Sequence, residues 1–253
     1  MRFSLVHPSR RRVALAEQAI AEWTGKCSGR HEVEYVLSID IDDDVAEYRR
    51  VAESRGVQLV VGANRSMVEA VNRAARVATG DVLVVVSDDF GCPDQWDAHL
   101  ALVLGERRDA AVLVHDGIDG RILTLPILGR VLYHQLGYVY HPGYFSMFCD
   151  DDLAHQTRQM GKLIDARHLV FPHRHWSVGG APFDSTYARE GSAAAYWSGW
   201  RLFEKRRAAD FGSRPRSFAI AAAQLRVDMW YWTRLCGSRV KGVLRRLRAP
   251  RSG

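Results

Sequence analysis

The chain has 253 residues, 47% of them hydrophobic, which is enough to close one sizeable core and excludes a disordered or fibrous protein. No stretch approaches the roughly 18 consecutive apolar residues of a membrane-spanning helix, and the basic cluster of MRFSLVHPSRRR follows its apolar run, the reverse of a secretory leader, so a cytoplasmic protein is expected. The net charge of +6 is uneven: residues 201–253 hold 14 Lys and Arg against 3 Asp and Glu, a balance of +11 that leaves −5 for residues 1–200.

In chain order, strands and helices alternate. Residues 3–6 are predicted as a strand, 11–23 as a helix, 34–39 as a strand, 45–55 as a helix and 57–61 as a strand. Residues 66–78 form a helix opened by a capping box, in which Ser66 precedes Glu69 by three. Residues 82–86 are β-branched or aliphatic at every position, as in a strand buried on both faces of a parallel sheet. A helix at 93–104 and a strand at 110–115 follow. This spacing argues for βαβ units and a mostly parallel α/β sheet with flanking helices. The alternation then loosens through Tyr144, a strand returns at 168–171, and residues 177–191, with two adjacent glycines, read as a mobile loop able to close over a ligand. Near the end, Val240, Val243, Leu244 and Leu247 share one helical face, with Lys241, Arg245, Arg246 and Arg248 elsewhere. That is a short basic amphipathic helix, suited to anionic lipid or nucleic acid, or to docking on protein. The four cysteines are far apart and form no CxxC pair, so neither a zinc site nor a disulfide framework is indicated.

The strand at 82–86 runs straight into Ser87, Asp88 and Asp89. In open α/β sheets ligands bind beyond the carboxyl ends of the strands, where a carboxylate can hold a divalent cation against a diphosphate. The competing reading is a turn and a helix cap. No GxGxxG follows the first strand and no GxxxxGK[ST] occurs, which disfavours dinucleotide and P-loop folds. The same edge instead receives Pro8, Ser9 and Arg10 after the first strand, Asp40 after the second, and Asn64 and Ser66 after the third. Together they offer polar side chains and helix N–H groups suited to a nucleotide.

Two further constellations lie beyond. Phe148-Cys149-Asp150-Asp151-Asp152-Leu153 opens a helical stretch to Gly161; its acids serve either chemistry or the helix dipole. His173 and His175 alternate in an extended segment after the last strand and so share a face. Trp96, Tyr133, Tyr138, Tyr140, Tyr144 and Trp176 offer stacking faces or ordinary packing.

In this order the pieces resemble the GT-A glycosyltransferases, particularly the family 2 type, over residues 3–176. The resemblance implies a Rossmann-like GT-A domain over 1–200, with a nucleotide-sugar half at 1–115 and an acceptor half at 116–200, followed by the basic helical extension 201–253. It assigns Pro8, Ser9, Arg10, Asp40, Asn64, Ser66, Ser87 and Asp88 to the nucleotide diphosphate sugar. Ser87-Asp88-Asp89 falls where the family carries DXD, departing from it at Ser87. Asp89 becomes the metal ligand, completed by His173 or His175, for Mn²⁺ or Mg²⁺; imidazole suits Mn²⁺ better. Asp151 is the general base, with Asp152 second and Asp150 third. The implied activity is inverting transfer to an acceptor hydroxyl on a surface glycan, a lipid-linked saccharide or a hydroxymethylated base in phage DNA. The alternative is a catalytically silent nucleotide-sugar or polyanion binder, which Ser87 keeps open. A nucleotidyltransferase of similar topology lacks its Gly-rich phosphate loop here.

Overall fold

The computed structural model describes residues 1–118, 120–212 and 229. Its centre is a seven-stranded sheet in the order β3-β2-β1-β4-β6-β5-β7. Strands β1 (Arg2–Pro8), β2 (Glu32–Asp40), β3 (Gln58–Gly62) and β4 (Val82–Val85) run parallel. Beyond them lie β5 (Ala111–His115), β6 (Ile127–Gly129) and β7 (Leu163–Val170). β6 pairs antiparallel with both β4 and β5, while β5 and β7 are parallel. The sheet is therefore mostly parallel as expected, but β4 is parallel only to β1; its other neighbour runs the opposite way.

Helices cover both faces. On one side α1 (Val13–Gly25), α2 (Val45–Arg55) and α4 (Trp96–Leu104) bury Ile20, Trp23, Val51 and Trp96. On the other, α3 (Met67–Val77), α5 (Arg130–Leu136), α6 (Cys149–Gln159) and α8 (Ala193–Ala208) bury Val71, Leu132, Leu153 and Phe203. β4 serves both cores: Leu83 and Val85 point to the second, Val82 and Val84 to the first. This is why the strand is apolar at every position.

The ends of the elements have local causes. α2 starts at Val45 because the Asp44 carboxylate accepts the Glu47 N–H, and it stops where Gly56 takes a left-handed φ of 64°. Ser66 caps α3 through the Glu69 N–H at 3.2 Å, but the Glu69 carboxylate accepts the Arg65 N–H at 2.8 Å, so the predicted box closes one residue early. α4 begins at Trp96 rather than 93, and β7 extends from Leu163 where only 168–171 was expected. The short β6 and α5 were not anticipated. The predicted loop at 177–191 is partly helical, with a 3₁₀ turn at Trp176–Val178 and α7 at Ser185–Glu190.

α8 passes through residue 200 and fully buries Phe203, so the first turns of the expected extension pack on the core. The amphipathic helix read at 240–247 lies outside the described residues. Cys27, Cys92 and Cys149 are free thiols. Among the described residues no helix is long and apolar enough to cross a membrane.

Candidate active site

The carboxyl ends of β1, β2 and β4 and the start of α3 surround a cavity of about 240 Å³. Pro8, Ser9 and Arg10 enter from β1, Asp40 from β2, Ser66 from the α3 cap, and Ser87, Asp88 and Asp89 from β4. Asn64 does not line it. Its amide donates to the Ile39 carbonyl at 3.1 Å and its Oδ1 accepts from Arg73 at 2.9 Å, so it ties the β2 and β3 ends together beneath the surface.

Adjacent carboxylates have different tasks. Asp88 Oδ1 accepts the Ser9 hydroxyl at 2.9 Å and faces His7 Nε2 at 3.0 Å, while Tyr35 OH meets His7 Nδ1 at 2.7 Å and Tyr48 OH meets Ser9 at 2.8 Å. With its side chain only 4% exposed, Asp88 fastens the β1 loop to the sheet. Asp89 lines the same cavity with other partners. Its Oδ1 accepts the Ser87 hydroxyl at 2.5 Å, and its Oδ2 lies 3.2 Å from His173 Nε2 and accepts the Tyr187 hydroxyl at 2.7 Å. Burial opposes charge on Asp89, but the bonds from His173, Ser87 and Tyr187 prevail and hold its carboxyl well below the usual range.

His173 stacks on Phe90 with centroids 4.1 Å apart, through the isolated bridge that joins the two backbones. His175 lies behind, its centroid 5.0 Å from that of His173 and its Nδ1 engaged with the Ser177 hydroxyl at 2.7 Å. Burial, then the neighbouring His173, keeps the His175 pKa below its ordinary value. Asp89 and His173 are thus brought together, whereas His175 is directed elsewhere. Among the described residues no group of three or more His, Cys, Asp or Glu is arranged to hold a metal ion.

A second cavity, of about 470 Å³, adjoins the first and shares Met67, Ser146, His173 and His175 with it. Asp150 and Asp151 stand on its wall at the first turn of α6. Asp150 Oδ1 accepts the Asp151 N–H at 3.0 Å. Asp152 is 1% exposed and belongs to the interior. It is paired with Arg206 of α8 and accepts Tyr144 OH at 2.8 Å and the Gln156 amide at 2.5 Å. Asp152, the second candidate base, is thus a buried carboxylate held by an arginine and two donors, away from the wall on which Asp150 and Asp151 stand.

Other residues at the site escaped the sequence reading. Arg12 makes a bidentate pair with Asp184 at 2.6 and 2.8 Å, lies 4.2 Å from the Tyr187 ring centroid, and comes within 3.8 Å of Asp88. Burial works against its charge, yet Asp184 and then Asp88 raise its pKa above the ordinary arginine value. Asp184 also caps α7 by accepting the Tyr187 N–H at 3.0 Å. Arg189 sits 3.8 Å from Asp40, which is paired with Arg10 as well. The segment expected to close over a ligand therefore already lies across the first cavity, with Tyr187 and Arg189 on two of the carboxylates that line it, Asp89 and Asp40. An Asp three residues before Tyr187 is a readable helix cap; a pair spanning 172 positions, Arg12 to Asp184, is not.

No protein-family model matches the chain, and no curated protein matches it. Solved structures do. The mannosyltransferase PcManGT from Pyrobaculum calidifontis, in complex with GDP-Man and Mn²⁺, aligns with a TM-score of 0.56 at 18% identity over 98% of this chain and 87% of that one. S. aureus TarS aligns with a TM-score of 0.52 at 13% identity over 68% of this chain, and TarS 1-349 in complex with UDP at 0.52 and 15% over the same share. The chain spans 36% and 59% of the length of those two TarS chains. At such identities the likeness establishes the architecture: the chain has the GT-A glycosyltransferase fold.

Proposed function

We propose that the chain is an inverting glycosyltransferase that binds a nucleoside diphosphate sugar in the smaller cavity and transfers the sugar to an acceptor hydroxyl in the larger one. One observation carries the reading: the cavity holding Asp89 and the cavity holding Asp151 meet at a common wall of Met67, Ser146, His173 and His175. Metal-side and base-side carboxylates of a displacement must lie on opposite sides of the reacting carbon, and two adjoining cavities with one such acid on each support that reading.

The chain's own groups account for most of the chemistry. Asp151 accepts the proton of the acceptor hydroxyl as its oxygen attacks the anomeric carbon and the bond to the diphosphate breaks. Arg10 and Arg12 bring cationic charge to the side where the diphosphate leaves. A Mn²⁺ or Mg²⁺ ion at Asp89 would add Lewis-acid stabilisation of that diphosphate. The donor set fits such an ion in type, a carboxylate with an imidazole favouring Mn²⁺, but not in number. Asp89 and His173 would hold it, and phosphate oxygens would complete its shell.

Calorimetry with UDP and GDP, with and without Mn²⁺, tests the donor half of this reading. Asp89→Ala is expected to abolish the Mn²⁺-dependent part of nucleotide binding. Asp88→Ala is expected to weaken binding less, through the loosened β1 loop. Equal Mn²⁺-dependent affinity in Asp89→Ala and the parent removes Asp89 from the metal site. Nucleotide binding without any donor hydrolysis or transfer would favour a silent binder over an enzyme.

A further inference from the structure

We propose that the acceptor carries an apolar group, an alkyl or aryl aglycone, which lies in the 470 Å³ cavity beside Asp151. The inference rests on the glycosyltransferase reading of the same site and adds the chemical class of its second substrate.

The wall facing Asp151 is built from Met67, Ile122, Tyr140, Met147, Phe148 and Tyr196. Four of its polar neighbours are engaged within the protein. The Thr124 hydroxyl donates to Asp116 at 3.0 Å and the Ser146 hydroxyl to the Glu190 carbonyl at 2.7 Å. His173 and His175 are turned to Asp89 and Ser177. A sugar ring pressed against this wall would lose water from several hydroxyls and find few partners in exchange. Each such loss weakens binding by about tenfold. An apolar aglycone meets no such penalty and gains by leaving water. The volume is within the range that holds a small organic group, and two methionine side chains can adapt to its outline.

The wall is also held in place against a local cost. Phe148 has a φ of 72°, a left-handed conformation unfavourable for a side chain of its size. What holds it is α8: at Gly199 a Cβ would come within 2.4 Å of the Met147 carbonyl and 3.0 Å of the Phe148 ring, so only glycine allows this approach. The Phe148 ring then packs edge-on against Tyr196, centroids 5.1 Å apart. Strain kept at a cavity wall by a close helix contact is the mark of a shaped surface, and this one is shaped in aromatic and aliphatic side chains.

The test uses the full chain with a nucleoside diphosphate and Mn²⁺, titrated by calorimetry with the methyl, phenyl and octyl glycosides of one sugar below micellar concentration. The phenyl or octyl glycoside is expected to bind at least about tenfold more tightly than the methyl glycoside. A phenyl preference identifies a small aromatic acceptor, and an octyl preference a lipid-linked one. Equal affinity for the three overturns the inference. Met147→Gln, a change of similar volume at a half-buried position, is expected to erase the aglycone advantage. An advantage that persists in both Met147→Gln and Ile122→Asn places the apolar group elsewhere and also overturns it. Nucleotide binding without an aglycone advantage removes this inference alone, whereas absent nucleotide binding removes the donor reading and this one with it.

Discussion

Asp89 Oδ2 receives the Tyr187 hydroxyl at 2.7 Å and faces His173 at 3.2 Å, so the carboxylate that would face a cation is already satisfied by the protein. A hydrogen bond to a charged acceptor contributes about 1.5–3 kcal/mol net, and any ion seated on that oxygen must displace it. Tyr187→Phe keeps the ring, which packs edge-on against His175 and stacks on Phe183, and removes only the competing hydroxyl. Mn²⁺-dependent nucleotide binding should therefore tighten by about tenfold or more in Tyr187→Phe when measured by calorimetry. A weaker affinity would show instead that the hydroxyl contacts the donor. The acids of α6 separate in a similar way. Asp151→Asn should keep nucleotide affinity and lose transfer by about 10²- to 10⁴-fold, the usual contribution of a general base. Asp152→Asn should act through stability, because it disturbs the pairing with Arg206. Near-parental turnover in Asp151→Asn would make the acidic triplet structural.

Elements were legible where a local signal and a core requirement agreed. α2 falls on Val45–Arg55 as expected because its cap, its apolar spacing and its terminal glycine all lie within the helix itself. β6 spans three residues, too few for a period to show, and owes its strand conformation to neighbours on both sides. The same distinction runs through the site. That Asp89 and Asp151 would line cavities was legible because a strand end delivers the first and a helix start the second. Asn64 looked like a nucleotide contact, but its amide groups fit the Ile39 carbonyl and Arg73. Arg12 and Tyr187 meet only after the chain has crossed the sheet.

His155 shows how α6 couples packing to pH. It is 1% exposed, with its ring centroid 5.3 Å from both Phe203 and Phe211. Burial, then the charges of Arg158 and Arg207, lowers its pKa to about 3. The unfolded chain binds a proton at this histidine near pH 6.5 while the folded chain does not, so stability falls as pH falls from about 6.5 toward 3. From pH 7.5 to 5.5 the loss from this one group is about 1.4 kcal/mol, or about 3–5 °C in Tm. Thermal unfolding of the parent and His155→Leu at both pH values checks this. The variant should lose that much of the pH dependence, and identical pH dependence would show that His155 does not govern it.

At the scale of the whole molecule, the body and the tail carry opposite charge. Residues 1–200 sum to −5 and residues 201–253 to +11. Within the described part of that second stretch two of the four cations are matched, Arg206 with Asp152 and Arg207 with Glu204, while Arg201 and Lys205 are exposed; the other ten of the 14 lie further along the sequence. Residues 237–253 contain six Lys and Arg and no acid. Deleting them should leave donor hydrolysis nearly unchanged, because every residue argued to take part in the chemistry precedes them, and should reduce binding to an anionic surface. That attraction must weaken with salt, since at about 0.15 M ionic strength exposed charges are screened beyond roughly 8 Å. Binding of the full-length and truncated chains to anionic vesicles and to duplex DNA, at low and high salt, decides what the tail meets. Salt-sensitive vesicle binding lost on truncation would place the acceptor at a membrane surface, in accord with an apolar aglycone. Salt-sensitive DNA binding lost on truncation would favour a nucleic-acid acceptor, against that aglycone. No difference between the two chains on either surface would mean that the tail packs against protein, and that its charge carries no information about the acceptor.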